Sequence, residues 1–94
     1  MQTDPELAAA RSSIDDVDAA LVRLLAERFA ITRRVGHLKK ERGLPASDPA
    51  REAQQAARIR ELADASGLDP DFAEEVLRLI VAEVVRNHET IAAQ

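Results

Sequence analysis

From Pro5 to Pro45 no proline interrupts the chain, and across that stretch apolar residues return at helical spacing. Leu7, Ile14, Leu21 and Val35 lie on one seven-residue series, interleaved with Ala10, Val17, Leu24, Ile31 and Leu38. This is a heptad-like seam sustained over about five heptads, which only a long helix can present on one side. Thr3-Asp4-Pro5-Glu6 reads as its start, with Asp4 as N-cap, Pro5 in the first turn and Glu6 near the positive end of the dipole. Gly43, followed by Leu44-Pro45, reads as its stop. A helix over residues 5–42 would be roughly 57 Å long at 1.5 Å per residue. A compact domain of this size has a radius of gyration of only about 12 Å. The rest of the chain is too short to cover such a rod, so the seam predicts a second chain against it, a homodimer.

The remaining punctuation divides the sequence into two shorter helices. Ser47-Asp48-Pro49 opens one over 49–65, closed by Ser66-Gly67, and Asp69-Pro70 opens another over 70–92. Ala and Leu dominate and Phe29 and Phe72 are the only aromatic residues, a mix that favours helix over sheet. The expected fold is therefore all-α, three helices per chain in a single domain spanning residues 1–94. Without cysteine, neither a disulfide framework nor a thiolate metal site is available. His37 and His88 stand far apart without the clustered carboxylates of a zinc site. No early apolar run follows a basic start and no run of about twenty apolar residues exists, so the chain is expected in the cytoplasm, off the membrane. A net charge of −4 argues against nucleic acid as a partner.

Several polar residues interrupt this pattern. Arg28 occupies the heptad series of Leu7, Ile14, Leu21 and Val35, and burying an unpaired guanidinium is costly. Either a carboxylate of a neighbouring helix or a ligand meets it. Lys39, eleven residues on, lies about 20° around the helix from Arg28 and faces the same groove. Arg11 flanks the seam about 25 Å earlier, too far to share a small site with Arg28 of its own chain but within reach of a partner's in an antiparallel or crossed dimer. Taken singly, Arg11 and Lys39 also fit as solvated flank residues. Arg51, in the first turn of the second helix beside Glu52, opposes the macrodipole unless an anion is near; a solvated turn is the alternative. On the third helix, Ala73, Val76, Leu77, Ile80, Val84 and Ile91 form one stripe. His88 falls within it, either as a satisfied core residue or as a functional one. Gly36 costs about 1 kcal/mol against alanine in mid-helix, which points to close packing there.

In order and spacing, these features resemble the all-helical chorismate mutases, over nearly the whole chain. The resemblance is carried by Arg11-x-x-Ile14-Asp15-x-x-Asp18, Leu24-Leu25-Ala26-Glu27-Arg28 and Val35-Gly36-His37-Leu38-Lys39. It continues through Pro45-x-x-Asp48-x-x-Arg51-Glu52, Gly67-Leu68-Asp69 and Leu79-Ile80-Val81-x-Glu83. It implies three helices per chain in an interlocked homodimer that converts chorismate, a small dianion, to prephenate without a cofactor or metal. It also implies that Arg28, Lys39, Arg51 and Glu52 serve the site in one chain while Arg11 comes from the other. Asp48 matches a loop position that approaches the substrate hydroxyl. At Val84 the family often carries a hydroxyl residue, and at His88 often Gln or Glu, so one polar contact is lost and another altered.

The chemistry so implied is unimolecular and pericyclic. It calls for a pocket that holds the reactive conformer and for donors at the ether oxygen, where charge grows. Arginine forks suit the two carboxylates: Arg28 and the partner's Arg11, with Arg51 in support. Lys39 and His88 are expected to flank the ether oxygen and Glu52 to accept from the ring hydroxyl. With His88 as a donor, imidazolium being the stronger one, activity is expected to decline as pH rises. Isochorismate pyruvate-lyase and aminodeoxychorismate mutase are the alternatives on this fold, and a non-catalytic dimerisation or regulatory module is a more distant one. In 94 residues no appended regulatory domain is expected.

Overall fold

A computed structural model describes residues 4–94, and Thr3, the first residue of the expected helix start, lies outside the described residues. Among them the fold is all helical: α1 (Pro5–Glu41), α2 (Pro49–Ser66) and α3 (Pro70–Ala92). Each helix begins at an Asp-Pro pair because the aspartate satisfies amide groups that the first turn leaves free. Asp4 Oδ1 accepts from the amides of Glu6 at 2.9 Å and Leu7 at 3.3 Å. Asp48 Oδ1 accepts from Arg51 N at 3.2 Å, and Asp69 Oδ1 from Asp71 N at 3.0 Å. Both glycine stops are left-handed, with φ of 64° at Gly43 and 77° at Gly67. There the chain makes a paired closure: Leu44 N donates to Lys39 O and Gly43 N to Lys40 O, as Leu68 N does to Ala63 O and Gly67 N to Asp64 O. These are Schellman motifs, and a side chain would strain either one.

The chain forms two compact units, Met1–Ile31 and Thr32–Gln94, with the boundary inside α1. In the first unit the seam is exposed: Leu7, Ile14, Val17, Leu21, Leu24 and Ile31 are 46 to 66% accessible. The second unit holds the end of α1 together with α2 and α3. Its α2 and α3 pack on each other, with Ala63, Ala73 and Leu77 buried, and Ile91 buried near the end of α3. Arg60 of α2 ties the pair together, reaching Asp71 at 2.9 Å and Glu74 at 3.2 Å on α3. Those carboxylates, Asp71 first, raise the pKa of its guanidinium. Val35 and Leu38, the seam residues in this unit, are about two-fifths exposed, at 39% and 43%. Among the described residues no helix is long and apolar enough to cross a membrane.

Candidate active site

The last turns of α1 carry Lys39, a cation at the negative end of the helix dipole. Its half-buried ammonium donates to Ala46 O at 3.1 Å and faces His88 Nδ1 at 3.4 Å. On the other edge of the ring, His88 Nε2 lies 2.8 Å from Thr32 O. A carbonyl can only accept, so Nε2 carries the ring proton and Nδ1 presents a lone pair to Lys39. His88 is 4% exposed. In this arrangement the ring N–H on Nε2 faces the Thr32 carbonyl.

Gly36 makes room for this ring. A Cβ there would stand 2.7 Å from His88 Cδ2 and 2.8 Å from Ile91 Cδ1. The odd mid-helix glycine thus has a steric cause, the close packing that its sequence position pointed to.

The loop that follows α1 links this group to a second one, since Ala46 is followed directly by Ser47. Ser47 Oγ donates to Glu52 Oε2 at 3.1 Å, and Asp48 N donates to the same oxygen at 3.2 Å. Glu52 reaches back over the first turn of α2 while Asp48 caps that turn, a reciprocal lock on the loop. Lys39 and His88 thus form one hydrogen-bonded group and Asp48 and Glu52 another, joined by the Ala46–Ser47 peptide. Arg51, next to Glu52 in the first turn of α2, has an exposed side chain, and Val84 is half-buried one turn before His88 on α3. Arg11 and Arg28 belong to the first unit, where Arg11 is exposed and Arg28 half-buried. Between α2 and α3 an open hollow of about 590 Å³ is lined by Ser47, Glu52, Ala56, Leu77, Val81 and Val85, among others. No three His, Asp or Glu side chains gather to hold a metal ion among the described residues.

The profile of the family described as chorismate mutase type II matches residues 10–89. The chain belongs to the chorismate mutase type II family. It is 46% identical to the T-protein of Enterobacter agglomerans over 78 residues, 83% of this chain and 21% of that protein. The chain thus spans about a fifth of the length of that relative. It is 30% identical to the chorismate mutase of Methanocaldococcus jannaschii over 76 residues, 81% of this chain and 77% of that one. It is 36% identical to the 4-amino-4-deoxychorismate mutase of Streptomyces pristinaespiralis over 84 residues, 89% of this chain and 64% of that protein.

In this member of the chorismate mutase type II family, groups that no sequence pattern singles out help to fix the polar side chains. Thr32 and Ala46 act through backbone carbonyls, which every residue type possesses, so no pattern of side chains signals them. In the sequence Ser47 reads as part of a helix start; its hydroxyl also donates to Glu52 Oε2.

Proposed function

We propose that this chain catalyses the rearrangement of chorismate to prephenate in aromatic amino-acid biosynthesis. In this reading it is one domain of a cytoplasmic homodimer, needs no cofactor, and builds each site from both chains. The family match supports the reaction, and one feature of the site carries it. Lys39 is a half-buried ammonium held between a carbonyl and an imidazole, with no carboxylate paired to it among the described residues. Its charge is left for a ligand.

Chorismate needs neither nucleophile nor proton transfer. It must be held in its compact conformer and relieved of charge as the C–O bond breaks. Arg28 and the partner's Arg11 clamp the two carboxylates through their planar forks, and Arg51 adds positive potential. Lys39 directs an N–H at the ether oxygen. Because charge appears there only as the bond breaks, that contact favours the transition state over the substrate. Glu52, fixed by Ser47 and by the Asp48 amide, accepts from the ring hydroxyl, and Asp48 borders the same hydroxyl. Val84 is an apolar wall and His88 flanks Lys39. The exposed seam of α1 supports the dimer: covering large apolar side chains that are about half exposed yields about half of the ~1.5–3 kcal/mol of full burial for each.

The likeness to a 4-amino-4-deoxychorismate mutase favours a second reading, in which the amino analogue is the substrate. Purified protein mixed with each compound separates the two. Chorismate absorbance should fall as prephenate appears, with a kcat/KM higher than that for the amino compound. The reverse preference would assign the second activity, and turnover of neither would end both readings.

A further inference from the structure

His88 is 4% exposed, and its ring is held at both edges. The Thr32 carbonyl fixes the proton on Nε2, and the resulting lone pair on Nδ1 faces Lys39 Nζ at 3.4 Å. Lysine has four rotatable side-chain bonds and three N–H donors. A free ammonium at its end would spread its N–H groups over many directions, which suits a preorganised charge stabiliser poorly. Here one N–H goes to Ala46 O at 3.1 Å and a second to the ring, so the direction of the third is set.

We infer that His88 is a positioning residue: in its neutral Nε2–H form it aims the Lys39 ammonium, and Gly36 supplies the space that admits the ring. The inference rests on the proposed role of Lys39 at the ether oxygen. It has a consequence opposite to that of a donor histidine. A proton on Nδ1 removes the acceptor and sets a second cation against the ammonium, so Lys39 is turned away. Lys39, from α1, is the charged group in contact with the ring. Among the described residues no charged group of α2 is hydrogen-bonded or ion-paired to it, and on α3 the neighbouring Glu89 is exposed. Activity should therefore fall as the medium is made acidic, not as it is made alkaline.

The test compares kcat, KM and pH profiles of wild type, His88→Gln, His88→Leu and Lys39→Ala, with ¹⁵N NMR of histidine-labelled wild type and Lys39→Met. Glutamine offers an amide oxygen to Lys39 and an N–H to Thr32 O at every pH. His88→Gln should keep kcat while losing the acid limb. His88→Leu should lose kcat about tenfold or more with little change in KM, a fraction of what loss of a whole charge-stabilising donor costs. The NMR spectrum should report the Nε2–H tautomer, with the Nδ1 signal shifting in Lys39→Met. An Nδ1–H tautomer, a full kcat in His88→Leu, or an acid limb that persists in His88→Gln overturns the inference. A Lys39→Ala variant with normal kcat would instead remove Lys39 from the ether oxygen. In that case the tautomer and the Lys39→Met shift still report whether the ring holds the ammonium.

Discussion

At the scale of single residues, the smallest one decides the most. Gly36 sits in the interior of α1, where alanine is preferred by about 1 kcal/mol. Against that gain stands the overlap of a new methyl with His88 Cδ2 at 2.7 Å and Ile91 Cδ1 at 2.8 Å. The isoleucine terminus is a flexible side-chain end and can yield. The imidazole cannot move without stretching its contact to Thr32 O or to Lys39. Overpacking of this kind costs about 1–3 kcal/mol, so it outweighs the helix preference. Gly36→Ala should lower stability by about 1 kcal/mol in urea titration and reduce kcat with it. A variant that is more stable and fully active would mean the ring has room to spare. Gly36 was visible in the sequence as an anomaly, because helix interiors avoid glycine. The partner that explains it lies fifty-two residues away on another helix, and nothing local in the sequence names His88 as that partner.

At the scale of elements, the helix ends were largely legible. An Asp-Pro pair combines an amide acceptor with a residue whose missing N–H does no harm at a first turn, and a glycine tolerates the left-handed closure. That is why the sequence alone marks Asp48 as a cap. What the pattern did not show is that the same cap belongs to a lock with Ser47 and Glu52, which fixes the loop beneath the Lys39 ammonium. The two duties of Asp48 can be separated. Asparagine caps a helix about as well as aspartate, whereas alanine gives up about 1 kcal/mol. Asp48→Asn should match wild type in urea midpoint at a fixed protein concentration, and Asp48→Ala should fall below it by that amount. If Asp48 also borders the substrate hydroxyl, KM rises in both variants. A raised KM confined to Asp48→Ala would leave the residue as a cap alone.

At the scale of the whole molecule, the proposal depends on a second chain. The seam of α1 was read as a covered surface from its spacing alone, and in the single chain its large side chains from Leu7 to Ile31 are about half exposed or more. Sequence periodicity shows that a face must be covered. It does not show by what, because leucine and isoleucine fit any apolar partner. The arginines carry the sharper information. If Arg28 of one chain and Arg11 of the other clamp one substrate, a twofold dimer contains two such sites, each drawing on both chains. Arg11→Ala and Arg28→Ala should each be nearly inactive, since every site then lacks one clamp. In a mixed dimer of the two variants, one site lacks both arginines and the other is intact. Equal mixing with free exchange makes about half of the dimers mixed, so about a quarter of the wild-type sites should return. The measurement is chorismate turnover before and after mixing, with exchange verified by native mass spectrometry of differently tagged chains. Recovery near that fraction requires the two residues to act across the interface. No recovery despite verified exchange would place both in the same chain's site or outside it, and the shared-site proposal would fall while the family membership stood.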